Sequence, residues 1–178
     1  MSVGGLTFLR HPSVSVPQGL CYGRLEVGLA AEAPDQIAAC LAALPRVSQV
    51  VASPMRRCRD LAQAVADRDG TTVQYDPRLM EYDFGAWEGR FWADIPRAQS
   101  EPWTQAIVDA RPPGGESFLD LIARVRAALE EMPQGAVVVA HAGPIRAARM
   151  ILTGDSFDTV FAERVPHATP IVMQRAAA

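Results

Sequence analysis

Lysine is missing from this chain, and all 17 basic side chains are arginine. No mechanism follows from that bias, because a GC-rich genome accounts for it as readily as function does. An excess of positive charge is missing too: 17 basic against 20 acidic residues leave a formal charge of −3. This argues against a polyanion-coating surface, and so against nucleic acid as a partner. A small anion remains compatible, since a few clustered arginines make a local positive pocket in an acidic protein. Cysteine is scarce. Cys21, Cys40 and Cys58 are odd in number, and no two stand at a metal-ligand spacing such as C-x-x-C. They read as reduced thiols in the core or loops of a cytosolic protein. Aromatics make up only 7% of residues, so the core has to come mainly from Ala, Val and Leu. No run of about 18 apolar residues occurs, nor a basic segment leading into an apolar one. Neither a membrane span nor secretion is indicated, and a cytoplasmic location is expected.

What is present is a chain of 178 residues, 49% of them hydrophobic, enough for one sizeable domain over 1–178. Strand and helix patterns alternate along it. Val3 to Leu9 is a short apolar run without proline, read as a buried strand. A Gly/Pro-rich loop runs from Pro12 to Gly28, and a helix is expected from Pro34 to Leu44. Val47 to Ala52 reads as a second strand. Ser53 is placed to cap a helix running to Asp67, with Pro54 in its first turn and Gly70 as terminator. Val73 to Tyr75 reads as a short edge strand. From Pro77 to Arg111 the chain is loop-rich and holds Trp87, Trp92 and Trp103, so 77–115 reads as a loop and helical cap segment over the site. Phe118, Leu121, Ile122, Val125 and Leu129 form one apolar helical stripe. Ala136 to Ala140 is wholly apolar and reads as a central strand, with Pro144 opening a helix that ends near Gly154. A last strand or pair is expected within Thr159–Met173. The expected fold class is α/β, a three-layer α/β/α sandwich around a mostly parallel sheet.

Two of these strands end alike. The first delivers Arg10-His11 and the fourth delivers His141, while the second runs into a helix whose first turns carry Arg56, Arg57 and Arg59. In parallel neighbours these groups would converge at the carboxyl edge, where open α/β sheets bind ligands. Phosphoryl transfer through a histidine suits such a cluster, because its transition state spreads negative charge over the equatorial oxygens. Arginine matches those oxygens with a planar, permanently charged fork. Backbone N–H groups at Gly143 and the helix start add donors.

The tracts Leu9-Arg10-His11, Ser53-Pro54-Met55-Arg56-Arg57, Glu81 to Gly89, Pro113 to Ser117 and His141-Ala142-Gly143 occur in one order over residues 9 to 143. In them the chain resembles the histidine phosphatase superfamily, also called phosphoglycerate-mutase-like. Gly19 to Glu26 and Asp83 to Gly89 resemble α-ribazole phosphatases in particular. The resemblance implies His11 as nucleophile, forming a phosphohistidine, with Arg10, Arg57 and His141 on the phosphoryl oxygens. It implies Glu81 as the group that protonates the leaving alkoxide and then activates water; Asp83 and Glu88 are the competing carboxylates. His11 must attack neutral, whereas His141 serves better protonated, so the two are expected to titrate apart. Tyr22 and Arg24 are candidates for the substrate pocket. No metal and no cofactor are implied, and the expected partner is a small phosphorylated metabolite, with the chain a monomer or homodimer.

Two positions depart from the pattern. Pro12 stands where the family usually has Gly, which removes a backbone donor and biases His11 toward extended geometry. The Asn that many mutase-like members carry a few residues on has no counterpart between Pro12 and Gly19. His167 reads as a structural or surface residue. The expected activity is phosphomonoester hydrolysis. The alternatives are a phosphoglycerate-mutase-type phosphotransferase and a non-catalytic phospholigand-binding module.

Overall fold

A computed structural model describes residues 5–174. Its sheet is built from β1 (Leu6–Arg10), β2 (Val50–Ala52), β3 (Val73–Tyr75), β4 (Val137–Ala140) and β5 (Ile171–Met173) in the order β3-β2-β4-β1-β5. All neighbours run parallel except β5, which lies antiparallel on β1. Of the expected first strand, Val3 and Gly4 lie outside the described residues, and within the described residues the strand runs from Leu6 to Arg10. The second strand is shorter than expected. Val47 gives its N–H to the Asp69 carboxylate at 2.9 Å instead of to a ladder, and pairing begins at Val50.

Side-chain alternation explains the three layers. Along β4, Val138 and Ala140 face one apolar cluster, whereas Val137 and Val139 face another. The first cluster is closed by α4 (Phe118–Glu130) and α5 (Ala142–Thr153), the second by α2 (Arg56–Asp69) with Cys40 and Leu44 from and after α1 (Ala33–Ala43). α4 begins where its apolar stripe begins, because Ser117 and Asp120 form a reciprocal capping box. α2 ends at Gly70 in the left-handed region (φ 69°), as its terminator role requires.

The stretch from Thr159 to Met173 contains a single strand, the first of the two forms expected there. Ser156 caps a short helix, α6 (Phe157–Ala162), and only β5 is extended. The loop and helical stretch expected over 77–115 holds one helix, α3 (Arg97–Gln105), and three short 3-10 turns. The 77–115 stretch is pinned at one backbone crossing: Gly85 has φ 53° and lies so close to Pro113 and Gly115 that a Cβ would collide with their backbone. Among the described residues no helix is long and apolar enough to cross a membrane.

Candidate active site

Strand register assembles the site. Arg10 pairs with Ala140 in the β1–β4 ladder, so the next residues, His11 and His141, emerge side by side. Their ring centroids are 5.2 Å apart, close to one inter-strand spacing. On the other flank the Ser53 N–H bonds to the Val139 carbonyl at 2.9 Å, which sets Ser53 at the same edge. Both imidazoles are buried, at 1% and 0% exposure.

Hydrogen bonds define both tautomers. His11 Nδ1 lies 2.7 Å from the Pro12 carbonyl, which can only accept, so Nδ1 carries the proton and Nε2 the lone pair. Pro12 has lost its N–H but keeps the carbonyl that does this. His141 has the opposite form. The Arg57 Nε–H donates to its Nδ1 at 3.1 Å, so its proton sits on Nε2, which faces the Ser53 hydroxyl at 2.8 Å. Ser53 is therefore a partner of His141 and not the expected helix cap; α2 starts at Arg56 without a side-chain cap.

Burial pushes His11 well below the ordinary imidazole value of 6.5, with Arg57, Arg10 and His167 adding to it and the Pro12 carbonyl opposing. Burial, then Arg57, His11 and Arg10, push His141 the same way. The expected split between a neutral and a protonated histidine is thus not what the structure shows. Both are held neutral, because protonating His141 at Nδ1 would remove the acceptor that Arg57 uses. A stability prediction follows. Above about pH 6.5 both states are neutral and nothing is lost; below it the unfolded chain takes up protons that the folded chain refuses. Stability should fall by up to about 1.4 kcal/mol per pH unit for each of these two imidazoles on acidification. Urea midpoints recorded between about pH 8 and pH 5 check this, and an unchanged midpoint contradicts it.

A cavity of about 440 Å³ opens in front of His11. Its polar end is formed by Arg10, His11, Tyr22, Glu81, Gly143 and Arg146. Arg10 donates to the Val165 carbonyl at 2.9 Å, but its buried Nε has no partner. Glu81 spans the end of α5: its Oε1 accepts from the Gly143 N–H at 3.1 Å and from its own neighbour Tyr82 at 2.9 Å. Arg124 holds the Glu81 carbonyl at 3.1 Å. The competing carboxylates are committed elsewhere. Glu88 accepts four backbone N–H groups, from Gly23, Arg24, Leu25 and Phe84. Asp83 accepts from Gly85 and pairs with Arg24 at 3.3 Å.

Not every expected residue reaches the cavity wall. Arg57 and His141 do not line the cavity, and Arg57 spends three donors on His141, Gly23 and Leu25. Arg24 turns to Asp83 and Glu116. Gly143 lines the cavity with its N–H already on Glu81. Two residues were missed or undervalued from sequence. Arg146 stands three positions after Gly143, on the same helix face, and that spacing was the available signal. His167 is half-buried, donates from Nδ1 to the His11 carbonyl at 2.8 Å, and sets its ring 5.2 Å from that of His11. Among the described residues no cluster of three or more His, Cys, Asp or Glu is arranged to hold a metal ion.

A family model described as the histidine phosphatase superfamily (branch 1) matches residues 6–176. The chain belongs to the histidine phosphatase superfamily. Its relatives within this superfamily include the bifunctional protein Rv2228c of Mycobacterium tuberculosis, 34% identical over 152 residues. That match covers 79% of this chain but 42% of the relative, so the chain spans about two fifths of that relative's length. Among solved structures, the mycobacterial glucosyl-3-phosphoglycerate phosphatase Rv2419c aligns with a TM-score of 0.80 at 25% identity, over 98% of this chain and 99% of that one. The α-ribazole phosphatase of Shigella flexneri shares the fold with a TM-score of 0.80 at 23% identity, covering 97% and 96%. The five-stranded sheet with helices on both faces is the phosphoglycerate-mutase-like fold.

Proposed function

We propose that this chain is a phosphomonoester hydrolase acting through a phosphohistidine on a small phosphorylated metabolite, with α-ribazole 5′-phosphate the first to try. One observation carries the reading. The buried Nε of Arg10 lacks a partner beside a neutral imidazole whose Nε2 holds the lone pair. An unpaired buried guanidinium N–H is costly, and an anion bound in front of His11 would satisfy it. Arg57 has five N–H donors and uses three on the protein, which leaves two for phosphoryl oxygens. His141 would reach the same oxygens by exchanging its bond to Ser53.

In the proposed first step His11 Nε2 forms a bond to phosphorus as the ester P–O bond breaks, and Glu81 gives its proton to the departing alkoxide. In the second step Glu81 takes a proton from water, whose oxygen displaces His11 from phosphorus and yields inorganic phosphate. Both steps run without a metal ion in this reading. Residues 77–115 serve as the cap that surrounds the leaving group, within one domain over 1–178.

Hydrolysis of p-nitrophenyl phosphate in EDTA, beside a panel with 3-phosphoglycerate and α-ribazole 5′-phosphate, tests this. Glu81→Gln is expected to lower kcat by about 10²–10⁴ on the alkyl ester, and by less on the nitrophenyl ester, whose phenolate leaves unprotonated. Activity abolished by EDTA, or isomerisation of 3-phosphoglycerate in place of phosphate release, would overturn it.

A further inference from the structure

The cavity is lopsided. Beyond its polar end, the wall is formed by Tyr82, Phe84, Trp92, Trp103 and Phe118, together with aliphatic Leu20 and Ile107. In a chain with 7% aromatic residues this concentration is not a by-product of composition. Tyr82, Phe84, Trp92 and Trp103 form one interlocked group, while Phe118 packs with Phe157 and Phe161. Trp92 and Trp103 lie nearly parallel, 19° apart with centroids separated by 6.0 Å, and Phe84 packs edge-on to both. Trp87, fully buried behind them, stands at 90° to Trp103 and fixes its plane. Trp92 remains 38% exposed.

Polar reach on this wall is small. The Tyr82 hydroxyl takes the Trp103 indole N–H at 3.3 Å. Arg146 is the one charged side chain of the lining besides His11, Arg10 and Glu81, and it lies over the Phe161 ring while donating to the Val160 and Glu163 carbonyls. A polyol entering here would leave hydroxyls without partners, a penalty that a flat apolar ring does not meet. A ring would instead gain face or edge contacts with the indoles.

Resting on the phosphatase reading, we propose that Phe84, Trp92 and Trp103 form a leaving-group slot for a flat aromatic ring. The substrates are then phosphomonoesters whose alcohol carries such a ring, in preference to sugar phosphates, phosphorylated polyols and phosphoglycerates. The slot lies in the 77–115 segment, so the residues that choose the alcohol are separate from those at the strand ends that handle phosphorus.

Phosphonates separate binding from turnover, because their C–P bond is not hydrolysed. Quenching of tryptophan fluorescence by benzylphosphonate, 2,3-dihydroxypropylphosphonate and 2-carboxyethylphosphonate is measured on the full chain. Benzylphosphonate is expected to bind at least about tenfold more tightly than either other probe. Trp92→Ala should bring that ratio close to one, whereas Trp92→Phe should keep most of it; Trp92 is partly exposed, so neither change empties the core. Equal affinity for the three probes, or a ratio unmoved by Trp92→Ala, overturns the slot. Tighter binding of the carboxyethyl probe overturns it too and makes Arg146 an anion site. If benzylphosphonate binds as expected but no monoester is turned over, the slot stands and the phosphatase reading fails.

Discussion

Replacing His11 by alanine is expected to lower phosphomonoester turnover at least about a thousandfold with little change in KM. Attack on phosphorus needs a lone pair held toward the ester, and the bond from Nδ1 to the Pro12 carbonyl keeps that lone pair on Nε2. Removing the ring deletes the nucleophile but leaves the neighbouring cations, so binding survives while chemistry stops. The far-UV spectrum should match the wild type, since the His11 N–H to Ala140 carbonyl bond of 3.0 Å belongs to the backbone. Added imidazole is expected to restore part of the rate by filling the vacated space. A His11→Ala protein that turns over p-nitrophenyl phosphate at the wild-type rate would sink the phosphohistidine proposal.

Arg57→Met is expected to damage activity and stability together. Arg57 is 1% exposed and its guanidinium ties α2 to the Gly23–Leu25 loop and to His141. It donates to the Gly23 carbonyl at 2.5 Å, the Leu25 carbonyl at 2.9 Å and His141 Nδ1 at 3.1 Å. Each acceptor left dry costs about 1–3 kcal/mol, offset in part by no longer burying a charge, so a net loss of about 2–4 kcal/mol is expected in denaturant titrations. Without Nε, His141 also loses what fixes its tautomer, and kcat/KM should drop at least about a hundredfold. Arg57→Lys should rescue little of either, because one ammonium cannot serve three acceptors spread around a planar fork. Full rescue by lysine would mean that charge alone matters at this position.

Much of the fold was legible because short-range physics dictates it. The α4 stripe, the Gly70 terminator and the apolar β4 run are local patterns, and each appears where expected. The misreadings fall where a distant partner outweighs a local preference. Ser53 looks like a cap from its Ser-Pro context, but His141, 88 residues away, takes its hydroxyl. The first half of the expected second strand is drawn off by Asp69, and the stretch after Gly154 folds into a helix on Phe118 before it reaches the sheet.

The sequence by itself determined that Arg10-His11 and His141 end two apolar strands, and period-two alternation with a parallel pairing then brings them together. It left three carboxylates in competition and led to the expectation that the two histidines titrate apart. Only the tertiary structure decided these. Glu88 is consumed by backbone N–H groups more than 60 residues away, Asp83 is held by Arg24, and Glu81 alone of the three lines the cavity. The proton positions on His11 and His141 follow from a carbonyl and a guanidinium that approach them in space. Hydrogen-bond occupancy is set by whichever donors and acceptors folding brings within about 3 Å, and no spacing along a chain encodes that.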